Sequence, residues 1–213
     1  MSRSRWLWRA RNMLAVLLLA AVAAACADHT DVGGSRVLVI GDSILAASEN
    51  QVRSALEADG WQATVVGIGG IPTQGWRKGA EQYVARFHPN VAVVELGTNN
   101  CAKSPCEDIG AYIDALMHVL TKSADVVYWL NTQDLPVDHP VHADFVNREI
   151  ADAAVRWPNM VVVDMNSRFE NHPEWHSPDG LHFNDAGKQQ LAALIRDALH
   201  DSSPAVRGTQ SGS

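Results

Sequence analysis

Long apolar runs are scarce in this chain of 213 residues. The run at 13–25 has 13 residues, against the roughly 20 that a membrane-spanning helix needs. Cysteine is rare as well. Three in the whole chain exclude a disulfide-dense miniprotein. Basic charge is also short: 17 Lys and Arg face 24 Asp and Glu, a net of −7. The shortage is uneven. Residues 1–25 hold Arg3, Arg5, Arg9 and Arg11 and no acid, so the remainder has 13 basic against 24 acidic residues, a net of −11. Such a body is repelled by phosphate backbones and has no attraction for anionic lipid, which argues against nucleic acid as a partner. What is present is an ordinary globular composition, 46% hydrophobic and 19% charged, of a length that suggests one domain.

The missing spanning helix leaves residues 1–25 with the anatomy of an export signal: a basic start, a short apolar core and a small-residue end. Arg9-Ala-Arg11 is not a twin arginine, so export in the unfolded state is expected. Ala23-Ala-Ala-Cys26 resembles a bacterial lipobox, in which Cys26 becomes the lipidated first residue. Ala23 departs from the Leu usual there. Ordinary cleavage after Ala25 or Ala27, giving a soluble secreted protein, is the alternative. Residues 26–35 read as a polar tether and 201–213 as a loose tail rich in Ser and Gly. With Cys26 assigned to lipid, Cys101 and Cys106 remain. Export would place them in an oxidising compartment, where a small disulfide loop is expected. The alternative is a pair of reduced thiols. Two cysteines cannot complete a four-ligand zinc site.

Between tether and tail, short β-branched runs alternate with amphipathic stretches. Strands are expected at 37–40, 62–66, 91–96, 126–130 and 160–164. Helices are expected at 44–59, 76–87, 107–123, near 142–157, and at 184–200. Apolar Ile109, Ile113, Leu116 and Leu120 recur at helical spacing in the third helix. Continuous apolar strands alternating with helices predict a single three-layer α/β/α domain over 36–200. Its five-stranded sheet should be parallel and flavodoxin-like. In such sheets ligands bind at the carboxyl ends of the strands.

Four marks stand at those ends. Gly41-Asp42-Ser43 follows the first strand, where a serine hydroxyl would be exposed for nucleophilic attack; an N-cap is the plainer role. Gly67-Ile-Gly69-Gly70 follows the second. It is not a dinucleotide fingerprint, because Pro72 stands where the third glycine belongs. A glycine turn, or a backbone N–H aimed into a site, are the two readings. Gly97-Thr98-Asn99-Asn100 follows the third strand, and its amides could donate to an oxyanion or merely shape a turn. Asp179-Gly-Leu-His182 precedes the last helix. An aspartate three residues before a histidine can hold the imidazole N–H and free the other nitrogen as a base. The competing reading is a surface loop.

In this order the four marks resemble the sequence blocks of the SGNH (GDSL-type) hydrolases, over about 36–200. The resemblance implies Ser43 as nucleophile, His182 as general base and Asp179 as its orienting partner. The Ser43 N–H, the Gly70 N–H and the Asn99 side chain would form the oxyanion hole, with Gly69 as the alternative to Gly70. Asn100 departs from the aspartate common at that position. The run from Asp179 to Gly187 further resembles exported SGNH proteins that handle acetyl groups on bacterial envelope glycans.

His172-Pro-Glu-Trp-His176 is not His-Glu-x-x-His, and Pro173 suits a zinc-binding helix poorly. No metal and no organic cofactor is expected. Asp42, Asn100, Trp76 and Trp175 are candidate substrate contacts, whereas Trp129 and Trp157 are expected to pack. The expected protein is an exported monomeric serine esterase of short acyl esters, small-molecule or glycan, whose membrane contact is its lipid. The alternatives are an O-acyltransferase using the same residues and a non-catalytic carbohydrate-binding lipoprotein.

Overall fold

A computed structural model describes residues 35–100, 108–134 and 143–201. The signal, the tether, Cys26, the Cys101 and Cys106 pair and the tail beyond 201 lie outside the described residues.

Five strands form one sheet: β1 (Arg36–Gly41), β2 (Gln62–Gly67), β3 (Val91–Glu95), β4 (Val126–Leu130) and β5 (Met160–Val163). Every pairing is parallel, in the order β2-β1-β3-β4-β5. This is the doubly wound arrangement expected from the alternation of strand and helix. The chain crosses from one side of β1 to the other between β2 and β3. A crevice therefore opens at the carboxyl ends of β1 and β3, where a topological switch places ligand sites.

Successive strand side chains point to opposite faces. Leu38, Ile40, Ala92, Val94, Val127 and Trp129 enter one core with α2 (Arg77–Phe87), α3 (Ile109–Leu120) and α4 (Ala143–Arg156). Val37, Val39, Val93, Tyr128 and Leu130 enter the other, with α1 (Ser43–Ala58), α5 (Met165–Phe169) and α6 (Asp185–Asp201). Both faces of β1, β3 and β4 are thus buried, which explains their uninterrupted apolar sequence. Each fully buried Leu, Ile or Val contributes roughly 1.5–3 kcal/mol relative to exposure.

Expected boundaries shift by a residue or two. Residues 73–76 form a 3-10 turn ahead of α2, which starts at Arg77 rather than Trp76. Two short elements were not expected, α5 and a 3-10 turn at Pro173–Trp175. The first is capped by Asp164, whose carboxylate accepts from Ser167 N. Both are too short to show a helical period. Among the described residues no helix is long and apolar enough to cross a membrane.

Candidate active site

Glycine and a buried carboxylate set the turn that carries Ser43. β1 ends at Gly41, and Asp42 caps α1 by accepting from Ile44 N at 2.9 Å. The first amides of a helix have no intrahelical partner. Here Ile44 N is taken by Asp42 Oδ1, Leu45 N by Glu95 Oε2 at 3.2 Å, and Ala46 N by the Asp42 carbonyl. Among the described residues, the Ser43 amide is left with no acceptor in that turn. It is thus free to donate beside its own hydroxyl.

That hydroxyl meets His182. Ser43 Oγ lies 3.0 Å from His182 Nε2, across 139 residues of chain. On the far side of the ring, Nδ1 lies 2.7 Å from Asp179 Oδ2. The other oxygen of Asp179 accepts from Leu181 N and His182 N, both at 3.0 Å. One carboxylate therefore shapes the backbone of the loop and orients the imidazole on it. The His182 hydrogen bond, then the His182 amide, draws the Asp179 carboxyl down to about 2. Asp179 is exposed and His182 half-buried, so water screens this pair.

The loop bearing them is tied down from below. Gln133, buried just beyond β4, donates its amide to the Leu181 carbonyl at 3.0 Å. Its oxygen faces His176 Nε2 at 2.9 Å, while His176 Nδ1 faces the His172 carbonyl at 3.1 Å. The neighbouring Asn184 caps α6 through Ala186 N and Gly187 N and donates to the carbonyls of Glu174 and His176. Phe183 anchors the loop by stacking on Phe169, with ring centroids 4.1 Å apart.

Two further groups complete the crevice. Ile68–Ile71 form a turn closed by Ile71 N donating to the Ile68 carbonyl. Gly70 occupies its third position with φ +71°, a conformation natural to glycine. Asn99 follows β3 through Gly97, whose φ of +147° and close approach to Thr132 Oγ1 (2.2 Å from an added Cβ) admit only glycine. The Asn99 amide donates one hydrogen to Asp42 Oδ2 at 3.0 Å. A primary amide has a second, available to a substrate oxygen.

A model of the GDSL-like lipase/acylhydrolase family matches residues 39–190. The chain belongs to that family. This GDSL-type domain is 28% identical over 169 residues to the peptidoglycan O-acetyltransferase OatA of Listeria monocytogenes, across 78% of this chain and 24% of the relative. It spans about a quarter of the length of the curated relatives it matches first. Its fold is similar to a lipase/acylhydrolase from Enterococcus faecalis, with TM-score 0.68 at 19% identity over 78% of this chain and 95% of the other. It is also similar to the C-terminal catalytic domain of Streptococcus pneumoniae OatA, with TM-score 0.64 at 19% identity over 82% and 96%.

The structure brings Ser43, Asp179 and His182 together and ties Asn99 to the serine turn through Asp42, while Gly70 stands in the turn after β2. It corrects three of the four candidate substrate contacts, Trp76, Asn100 and Asp42, which are buried. Trp76 is 1% exposed and donates its indole N–H to the Gly41 carbonyl at 2.9 Å, so it supports the turn from within the core. Asn100 is a buried strut, accepting from Thr73 N and Oγ1 and donating to Gln74. Asp42 is wholly buried, with its carboxylate accepting from Ile44 N and Asn99 Nδ2. Trp175 packs its ring on His172, 3.6 Å between centroids, and edge-on to Phe169. His172 pairs with Glu174, and His176 turns toward Gln133. Among the described residues no three metal-type side chains converge.

Residue reasoning missed Gln133 and Glu95, and it placed His176 against substrate rather than on Gln133. Glu95 had a visible signal: it is a carboxyl group inside the apolar run Val91-Ala-Val-Val-Glu-Leu96. It is 1% exposed in the fold.

Proposed function

We propose that this domain is an exported serine acyl-enzyme that acts on short, acetyl-type esters, its natural setting being the glycans of the bacterial envelope. The observation that supports this reading is the continuous hydrogen-bonded line from Asp179 through His182 to Ser43. Ser43 Oγ attacks the ester carbonyl carbon while His182 Nε2 takes its proton. The carbonyl π electrons move to oxygen, and that oxyanion is received by Ser43 N–H, Gly70 N–H and the second Asn99 amide hydrogen. Preorganised donors of this kind stabilise charge as it develops. Collapse breaks the bond to the alcohol, which leaves with the proton from His182, and an acyl-Ser43 ester remains. Water or a sugar hydroxyl then attacks, His182 takes its proton, and Ser43 recovers it as the acyl group departs.

Water as acceptor makes an esterase, and a sugar hydroxyl makes an O-acetyltransferase. The second reading is favoured by relatives named as O-acetyltransferases. The shared first half-reaction is tested with p-nitrophenyl acetate. Ser43→Ala should fold and lose turnover, and undiminished release of p-nitrophenol by that variant would sink the assignment. Adding glycan acceptors to the same reaction separates the two readings. Acetylated sugar marks transfer, and free acetate alone marks hydrolysis. A signal at 1–25 and lipid on Cys26 would hold the domain at the outer face of the cytoplasmic membrane.

A further inference from the structure

Strand alternation sends Val93 and Glu95 to the same face of β3, the face covered by α1. Glu95 therefore ends directly beneath the first turn of α1. Its Oε2 accepts from Asp42 N at 3.3 Å and from Leu45 N at 3.2 Å, gripping the backbone on either side of Ser43. The Glu95 and Asp42 carboxyl groups are neighbours close enough that each acts on the other's protonation. Two buried carboxyl groups so placed favour a state with one proton between them.

The proton has a preferred owner. Asp42 already accepts from Ile44 N and from Asn99 Nδ2, two bonds that favour its anion. It also sits at the N-terminus of α1, where negative charge is stabilised. Both carboxyl groups are buried. Burial, and then the charge of Asp42, push the Glu95 pKa well above the ordinary carboxyl range. His182, when it carries the proton taken from Ser43, favours the Asp42 anion too. So Glu95 is the donor and Asp42 the acceptor.

We propose that Glu95 is a positioning residue: as a carboxylic acid it donates to Asp42 and grips the Asp42 and Leu45 amides, so that Asp42 aims the Asn99 amide and the Ser43 N–H into one oxyanion site. The inference rests on the acyl-enzyme reading, because it assigns the aim of those donors. It makes one arrangement of two donors from different strand ends, Ser43 after β1 and Asn99 after β3. Neither carboxyl touches substrate. The pair acts by fixing where the donors point.

Glutamine mimics a neutral glutamic acid here. Its amide donates to Asp42 and its oxygen accepts from the two backbone amides. Leucine mimics only the volume. On p-nitrophenyl acetate, Glu95→Leu should lose about 100-fold in kcat with little change in KM, the scale of one oxyanion donor. Glu95→Gln should stay within roughly tenfold, the scale of one altered hydrogen bond. A second measurement needs no turnover. The infrared difference between the natural chain and Glu95→Gln at neutral pH should show a protonated-carboxyl stretch that the variant lacks. Loss in Glu95→Gln as deep as in Glu95→Leu, or full kcat in Glu95→Leu, or no protonated-carboxyl band, would each overturn the proposal. Should Glu95→Leu not fold, Glu95→Gln and the infrared band decide. If the natural chain neither hydrolyses nor transfers acetyl from any ester, the acyl-enzyme reading fails, and the band still tests the carboxyl pair separately.

Discussion

Asp179 and the Asp42–Glu95 pair lie within one site and bend the pH dependence of stability in opposite directions. The Asp179 carboxyl falls from an ordinary 3.8 to about 2 on folding. Between those values the folded chain binds fewer protons than the unfolded one, so stability rises with pH from about 2 to 4. Burial raises Asp42 to about 6. The folded chain then keeps a proton that the unfolded chain has released, and stability falls as pH climbs from about 4 through 6. Glu95, also raised by burial, adds to that fall. A melting-temperature profile should therefore peak on the acid side of neutrality. Asp179→Asn should flatten the lower limb and Glu95→Gln the upper. An upper limb unchanged in Glu95→Gln would mean that Glu95 is ionised in the folded chain. At this scale the sequence was readable where a role is local. Asp179 and His182 reveal each other because three residues separate them. Glu95 does not, since its meaning depends on which helix begins above it.

Strands and long helices were legible because their periods are long enough to show. The loop from His176 to Asn184 was legible only in part. Its Asp and His stand out, but the supports from β4 and α5 do not. Nothing in the sequence joins Gln133 to Leu181, 48 residues away, except that an amide follows a buried strand. The tie is open to test. Gln133→Ala leaves the Leu181 carbonyl and one His176 nitrogen without their partner. It should cost about 1–3 kcal/mol in urea denaturation, the penalty for buried polar groups left unpaired. Amide exchange across 177–182 should accelerate and kcat should fall, because His182 rides on that segment. Unaltered exchange there would show that the Phe169–Phe183 stack alone holds the loop. The elements that escaped prediction, α5 and the turn at Pro173–Trp175, are short pieces held by tertiary contacts rather than by a repeating pattern.

Across the whole molecule, the sheet order places two strand ends with opposite neighbours side by side, and Ser43 and Asn99 are delivered to the gap between them. The alternation of strand and helix made that architecture readable. The charge carried around it has a separate consequence. Outside residues 1–25 the chain has a net of −11. An ester bearing negative charge should approach slowly, and its kcat/KM should rise as salt screens the repulsion over a Debye length of about 10 Å at 0.1 M. A neutral acetyl ester of the same alcohol size should show little salt dependence. Equal salt responses for the two would mean that the crevice is shielded from the acidic surface.

The contact between Ser43 and His182 also has a place in time. A nascent chain leaves the ribosome from its N-terminus, so Ser43 emerges early and its partner 139 residues later. α6, which packs with α1 in one core, follows later still. Until that last helix docks, the serine has its turn but no base. Under the proposed acyl-enzyme reading, reactivity toward esters is then acquired only when folding is complete, and an unfolded chain carries a silent hydroxyl.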